Sequence, residues 1–232
     1  MEVILLFAMV IGLLMIGVPI AVALGFSSVM FLLWFSDSSL ASVAQTLFNA
    51  FEGHYTLLAI PFFILASSFM STGGVARRII NFSIACVGHF HGGLAIAGVF
   101  ACMLFAALSG SSPATVVAIG SIVIAGMRQV GYTKEFAAGV ICNAGTLGIL
   151  IPPSVILVIY GLLTETSIGK LFLAGVIPGL IGVLFYLGAV RWTVSRKPDA
   201  GPAGERTSWG DRLKALKGVW AVVLLFFLVI GG

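Results

Sequence analysis

Long stretches of this chain carry no charged side chain, and this constrains its fold more than any other feature. Residues 3–34 contain no Asp, Glu, Lys or Arg, and further apolar runs follow at residues 55–70, 94–108, 116–127, 135–163 and 171–190. Only 9% of the residues are charged, whereas soluble domains contain about 25%. Because a membrane helix takes about 20 apolar residues, the chain has room for roughly six to eight membrane segments. The sequence therefore predicts an all-α polytopic membrane protein in a lipid bilayer and excludes a soluble globular fold.

The basic and sulfur-containing residues do not point to nucleic acid, a disulfide framework or a thiolate metal site. Of the twelve Lys and Arg residues, seven lie in residues 191–217, which is typical of a basic loop beside a membrane helix. Cys86, Cys102 and Cys142 are widely spaced within apolar runs, so we interpret them as packing residues. The three histidines, His54, His89 and His91, lie near segment ends, where we expect interfacial or capping roles.

The first apolar run has no basic stretch before it, so it does not resemble a cleaved signal peptide. As a helix its 32 residues would measure about 48 Å against a hydrocarbon core of about 30 Å. We expect one long first helix that tilts, bends at residues 17–19 or extends beyond the core. A polar connection at residues 36–54, with Asp37, Glu52 and no basic residue, is expected to follow it.

A polar cluster at residues 109–115 separates two short apolar runs, residues 94–108 and 116–127. As helices, runs of 15 and 12 residues cover only about 22 and 18 Å. Two short helices joined by a Ser/Gly/Pro tip predict a re-entrant helical hairpin over residues 94–127. The alternative is an ordinary exposed turn between two helices.

The apolar run at residues 135–163 is interrupted between Gly145 and Pro153. Proline has no backbone N–H, and it displaces the preceding residue from the helical region, so Ile151 and Pro152 cannot both continue a regular helix. The sequence predicts a transmembrane helix broken at mid-membrane depth. Alternatively, Gly145 and Gly148 are helix-packing positions beside a proline kink.

The distribution of basic residues predicts the orientation. If the hairpin enters and leaves on one side, eleven basic residues share that side and only Lys170 lies on the other. The positive-inside rule then places the hairpin mouth and residues 191–217 in the cytoplasm and residues 36–54 outside. Residues 79–91 suit either an interfacial helix or the wet end of a longer helix. Residues 171–190 form a plain crossing, and residues 219–232 begin another apolar run.

The two interruptions suggest the chemistry, because non-helical backbone at membrane depth persists only where it is buried in protein or lines a polar cavity. Neutral hydroxyl, amide and carbonyl oxygens suit a monovalent cation, and sodium is the natural candidate, since the carboxylates that a divalent ion prefers lie outside or at the ends of the apolar runs. New helix N-termini at Ser112, Pro113 and Ser154 would attract a carboxylate substrate. The tip offers the hydroxyls of Ser109, Ser111, Ser112 and Thr115, and the break offers the Asn143 amide and the Thr146 and Ser154 hydroxyls. Together with backbone carbonyls, these groups could form a cage of neutral oxygens.

Three strings carry a resemblance to a known family: LSGSSPATVVAIGSIVIAGM at residues 108–127, NAGTLGILIPPSVILVIYG at 143–161 and SIGKLFLAGVIPGL at 167–180. Their order and spacing resemble the large membrane subunit of tripartite ATP-independent periplasmic (TRAP) transporters. The resemblance implies a bacterial inner-membrane carrier that uses a sodium gradient to import an organic acid, such as a sialic acid or a dicarboxylate. It also implies two partners, a small TRAP membrane subunit and a periplasmic substrate-binding protein. Carried over residue by residue, the resemblance implies that one wall of a sodium site is formed by Ser109, Gly110, Ser111, Ser112, Pro113 and Thr115. The other wall would be formed by Asn143, Gly145, Thr146, Gly148 and Pro152.

Members of that family contain two inverted repeats that move by an elevator mechanism, and the hairpin and broken-helix strings each occur once here. The resemblance therefore implies one repeat of an inverted-repeat elevator-type transporter, equivalent to the N-terminal half. Residues 1–78 would be scaffold helices, residues 79–164 half of a transport domain, and residues 165–190 a transmembrane helix. A cytoplasmic connection at 191–217 would lead to a further helix from residue 218.

Three other functions remain open from the sequence. A sodium-coupled dicarboxylate or citrate symporter working without a binding protein would share these features. A serine hydrolase would need a histidine within about 3 Å of Ser111 or Ser112, and a purely structural membrane subunit would not respond to sodium.

Overall fold

The computed structural model describes residues 2–35, 39–52, 55–72, 74–196, 201, 204 and 207–231, and the regular structure in these ranges is entirely helical. This confirms the all-α prediction. The chain divides into two compact units, Met1–Tyr55 and Thr56–Gly232.

The first unit contains helices α1 (Glu2–Met15), α2 (Ile20–Phe35) and α3 (Leu40–Glu52). The prediction of one long first helix was wrong, although the run divides at residues 17–19, where a bend was one of the expectations. Gly17 adopts a φ of 89°, Val18 N donates to the Leu13 carbonyl at 3.1 Å, and Gly17 N donates to the Leu14 carbonyl at 3.0 Å. This is a Schellman motif, which ends α1, and the Pro19 ring cannot continue it.

The connection predicted at residues 36–54 is also different, since α3 fills most of it. Apolar residues recur there at three- and four-residue intervals, at positions 40, 43, 44, 47, 48 and 51, and this is a helical period. Asp37 and His54 lie outside the described residues.

A 3-10 helix (Tyr55–Leu58) leads to α4 (Ala59–Thr72) and α5 (Val75–Val87), whose axes differ by 67°. α5 is thus a separate helix rather than the end of α4. Its buried side includes Ile79 and Ile80, and the helix packs against two later helices, α6 (Gly93–Ser109) and α12 (Trp209–Gly231).

α6 and α7 (Ser112–Gln129) form an antiparallel helical hairpin with a two-residue connection. Its register is shown at three levels: Leu94 lies beside Gly126, Gly98 beside Val123, and Ser109 bonds Thr115. The helices have 17 and 18 residues and are longer than the apolar runs. At about 26 and 27 Å, their lengths no longer mark them as half-crossings, so re-entry stays a prediction.

The broken helix consists of α8 (Lys134–Gly145), α9 (Leu147–Leu150) and α10 (Val155–Leu163). The predicted interruption from Gly145 to Pro153 is shorter in the structure, because Leu147–Leu150 is helical and only residues 151–154 are extended or bent. A Schellman motif at Gly131 separates α7 from α8, and the Thr133 hydroxyl accepts from Phe136 N at 3.3 Å to cap α8.

α11 (Ile168–Arg196) and α12 both extend beyond the predicted segments and shorten the connection between them. Among the described residues, Lys134–Leu163 and Ile168–Arg196 are long and apolar enough to cross a membrane, and the bent α4–α5 pair makes a possible third. This number is below the six to eight that the length allows. Shorter apolar helices, Val3–Met15, Ile20–Phe35 and Gly93–Ser109, account for much of the remaining apolar sequence.

Candidate functional site

The tip of the α6–α7 hairpin packs against the break between α9 and α10. Gly110 ends α6 with a φ of 59°, and its carbonyl accepts a hydrogen bond from Val155 N at 3.3 Å. A Cβ atom at Gly110 would lie 2.6 Å from the Pro153 carbonyl oxygen. Glycine is therefore needed both for the backbone angle and for the close approach.

Two further glycines bring the end of α8 and the short α9 against the same tip. A Cβ atom at Gly148 would lie 2.9 Å from Ser111 C and 2.9 Å from Ser112 N, whereas one at Gly145 would overlap the Val116 side chain. The alternative interpretation of Gly145 and Gly148 as packing positions is thus supported, and their packing partner is the hairpin tip itself.

Helix α11 closes the other side of the break with glycines of its own. A Cβ atom at Gly175 would lie 2.9 Å from the Leu150 carbonyl oxygen, and one at Gly179 would lie 2.9 Å from Ile151 Cγ1. Pro152 is buried here. The break is consequently held between the hairpin tip and α11.

The hydroxyls of Ser109 and Thr115 are used within the tip. Their oxygens are 3.0 Å apart, and Thr115 Oγ1 also donates to the Ser111 carbonyl at 2.9 Å. Ser109 is 1% and Thr115 0% exposed. This network fixes the shape of the turn between α6 and α7.

Ser112 and Ser154 differ from these residues because their buried hydroxyl oxygens have no hydrogen-bond partner in the described part of the chain. Ser112 is the first residue of α7, followed by Pro113, and Ser154 is the N-cap of α10 without a side-chain capping bond. Buried polar groups are normally paired. The tip and the break thus each present one buried hydroxyl, at a helix N-terminus, whose hydrogen-bonding capacity the described residues do not satisfy.

Asn143 and Thr146 have side chains with partners away from the tip. Asn143 Nδ2 donates to the Gly139 carbonyl at 2.8 Å, and Thr146 Oγ1 donates to the Asn143 carbonyl at 2.7 Å. Thr146 Oγ1 also lies 2.9 Å from the Tyr186 hydroxyl on α11. The oxygens of the predicted cage thus belong to two separate hydrogen-bonded groups, one at the hairpin tip and one around Thr146.

Tyr186 was not among the residues predicted for the site. It borders a cavity of about 460 Å³ between α8 and α11, together with Asn143, Glu135 and Thr193. A signal was present, because Tyr186 is the one polar side chain in the apolar run at residues 171–190.

The site is electrically neutral apart from its helix ends. The described residues contain no group of three or more His, Cys, Asp or Glu side chains that could hold a metal ion. His89 and His91 border a different cavity beside α11 and α12. Among the described residues, the Ser112 hydroxyl therefore has no histidine base of the kind that the serine-hydrolase alternative requires.

Comparison with known proteins identifies close relatives. Residues 7–232 match the profile of "Tripartite ATP-independent periplasmic transporter, DctM component". The chain is 65% identical to the C4-dicarboxylate TRAP transporter large permease protein DctM of Vibrio cholerae serotype O1, over 100% of this chain and 51% of that protein.

Proteins of the same name from two other bacteria are also similar. The one from Pseudomonas aeruginosa is 57% identical over 90% of this chain and 48% of its own length, and the one from Rhodobacter capsulatus is 44% identical over 100% and 55%. The chain spans about half the length of the curated relatives that it matches. These relatives are permease subunits and not enzymes.

Proposed function

Because the chain belongs to the DctM component family of tripartite ATP-independent periplasmic transporters, we propose that it forms part of the membrane permease of a sodium-driven carrier for an organic acid. The observation that carries this proposal is the contact between the hairpin tip and the helix break. It brings helix ends of opposite polarity to one place inside the protein.

Helix C-termini hold the sodium ion in this proposal. α6 ends at Ser109 and Gly110, and α8 ends at Gly145 next to Thr146, so the partial negative charge of both helices is directed to the site. Carbonyl and hydroxyl oxygens near these ends supply neutral ligands, as a monovalent cation in a membrane carrier requires.

Helix N-termini bind the carboxylate of the substrate. α7 and α10 begin beside the tip, and the unpaired hydroxyls of Ser112 and Ser154 can each donate a hydrogen bond to an anion. Backbone N–H groups at the first turn add to this attraction. Pro113 fits because its missing N–H lies at a position with no intrahelical partner.

A C4-dicarboxylate is the substrate that we favour over a sialic acid, because the three relatives reported above are named as C4-dicarboxylate permeases. The partners are a periplasmic substrate-binding protein and a small membrane subunit, separate or fused. The location is the bacterial inner membrane. The competing proposal, a symporter without a binding protein, predicts full uptake when the binding protein is omitted.

Sodium-dependent uptake by the intact transporter tests the site. We expect Thr146→Ala to raise the sodium concentration for half-maximal uptake, and Ser112→Ala to raise the KM for the dicarboxylate. Thr164→Ala and Ser121→Ala are the matched controls. The Thr164 hydroxyl bonds Tyr160 and Thr166, and the Ser121 hydroxyl bonds Ala118, so each bonds within four residues and outside the site. Unchanged sodium dependence and KM in both site variants, relative to these controls, would refute the assignment.

The elevator motion and the cytoplasmic mouth of the hairpin are part of the same proposal. A single cysteine at Arg128, at the end of α7, should react with an impermeant maleimide only from the cytoplasmic side. A cysteine at Lys170 should react only from the periplasmic side. Labelling of both positions from one side would overturn the orientation.

A further inference from the structure

A second, larger cavity lies at the other end of the α11 helix from the glycine contacts. Its volume is about 1030 Å³, and it is bordered by the end of α11, the start of α12 and the turn after α5. The side chains that give it its chemical character are two arginines, two histidines and two tryptophans: Arg191, Arg212, His89, His91, Trp192 and Trp209.

This cavity is cationic. No carboxylate borders it among the described residues. The nearby Asp211 is 3.8 Å from Lys214, and both side chains are mostly exposed. Arg191 and Arg212 thus have no carboxylate partner at the cavity within the part of the chain that the structure describes.

Two polar atoms in its wall have no hydrogen-bond partner among the residues that the structure describes. His89 Nδ1 and Arg212 Nε are both buried without a hydrogen bond. A buried Arg212 Nε–H group left unpaired is unfavourable, so a ligand with acceptor oxygens would satisfy it. Phosphate oxygens match an arginine fork and a histidine particularly well.

The aromatic residues and their neighbours suggest the membrane interface. The Arg196 guanidinium carbon lies 4.3 Å from the Trp192 ring centroid, and that of Arg212 lies 5.0 Å from the Trp209 centroid. Tryptophan and arginine side chains of this kind are typical of the level of lipid headgroups.

An apolar groove of about 540 Å³ continues from the cavity along α11. Gly188 and Trp192 border both spaces, and Ile181, Leu184 and Phe185 border the groove alone. The span from residue 181 to residue 188 rises about 10 Å along the helix, which is enough to hold the upper part of one acyl chain. A free phosphate ion has no apolar part that could occupy the groove.

We propose that the cavity and groove together bind one anionic phospholipid, with its phosphate between Arg191 and Arg212 and an acyl chain along α11. This lipid site lies at the C-terminal end of α11, which is the predicted cytoplasmic end of that helix, and it is separate from the hairpin tip. The basic residues there then serve as lipid ligands in addition to their effect on topology.

Lipid titration of the intact permease, followed by native mass spectrometry, tests this proposal. We expect dioleoyl phosphatidylglycerol to bind more tightly than dioleoyl phosphatidylcholine. Arg191→Gln and Arg212→Gln should each weaken phosphatidylglycerol binding about five-fold, as expected for one basic side chain at an anionic membrane surface. Arg128→Gln is the matched control, because Arg128 is exposed at the end of α7 and outside the cavity.

Gly188→Leu tests the groove independently of charge. A Cβ atom at Gly188 would meet no atom within 4 Å, and leucine favours the helix, so folding should be preserved. The leucine should nevertheless occupy the junction and weaken phosphatidylglycerol binding, whereas Gly218→Leu, equally free of contacts, should not.

Two results would overturn the proposal. Equal binding of the two lipids, or equal binding by the Arg191, Arg212 and Arg128 variants, would show that the cavity does not select an anionic headgroup. Displacement of phosphatidylglycerol by inorganic phosphate, with no effect of Gly188→Leu, would indicate a free-phosphate site without an acyl chain.

Discussion

Replacing Gly110 by alanine tests the contact on which the functional site depends. Two costs arise at this position. The φ of 59° disfavours any residue with a Cβ atom by about 1–2 kcal/mol. The Cβ atom would also lie 2.6 Å from the Pro153 carbonyl oxygen, a backbone atom that cannot rotate away. Overpacking of this kind costs about 1–3 kcal/mol, so the total loss of stability should be about 2–5 kcal/mol.

Substitutions at two further glycines measure the conformational cost and the overlap cost one at a time. Gly131 has a φ of 96° and no atom within 4 Å of its Cβ position, so Gly131→Ala should cost only the conformational term of about 1–2 kcal/mol. Gly148→Ala should cost only the overlap with Ser111 and Ser112, at most about 3 kcal/mol, reduced by about 1 kcal/mol for the better helix propensity of alanine.

Unfolding of the three purified variants by SDS in detergent micelles measures these differences. The expected order of destabilisation places Gly110→Ala first, and the excess of Gly110→Ala over Gly131→Ala measures the contact between tip and break. If these two variants were equally stable, the hairpin tip would not abut the break, and the proposed site would lose its geometric basis.

Three further predictions follow from the described contacts. Ser154→Ala should leave stability unchanged or raise it, because it removes an unpaired buried hydroxyl, while the KM for uptake rises; a clear loss of stability would show that the hydroxyl is paired. Thr146→Val and Tyr186→Phe should each cost about 1 kcal/mol of unfolding free energy, and a double-mutant cycle should show coupling, because one hydrogen bond of 2.9 Å joins them; additive effects would contradict it. Phe105→Ala, at a position that is 0% exposed, should cost about 3 kcal/mol, whereas Phe185→Ala, at a position that is 74% exposed, should cost little; equal SDS midpoints would refute the packing shown for Phe105.

Some features of the fold could be predicted because their cause is local. Charge-free runs identify membrane helices, since burying a charge in lipid is costly wherever the helix packs. The break at residues 151–154 follows from Pro152 and Pro153, whose rings prevent helical hydrogen bonds in any tertiary context. The hairpin connection at Gly110 and Ser111 could be predicted because a cluster of serine, glycine and proline interrupts the apolar sequence there.

Other local signals were present and were weighed wrongly. Gly17 followed by Pro19 is sufficient to end a helix, yet the uniform hydrophobicity around them suggested one continuous segment. The helical period of α3 was overlooked because its polar residues resemble a loop. The C-terminal end of α11 was predicted at residue 190, but the helix continues to Arg196, because charged residues that reach the membrane surface can remain helical.

The sequence by itself determined where the backbone is interrupted and which polar groups the interruptions offer. Only the tertiary structure decided how those groups are used: Ser109 pairs with Thr115, Thr146 pairs with Tyr186, and Ser112 remains unpaired. The physical reason is that glycine and proline act on their own and adjacent peptide units, whereas a hydrogen bond between residues 40 positions apart depends on how whole helices pack.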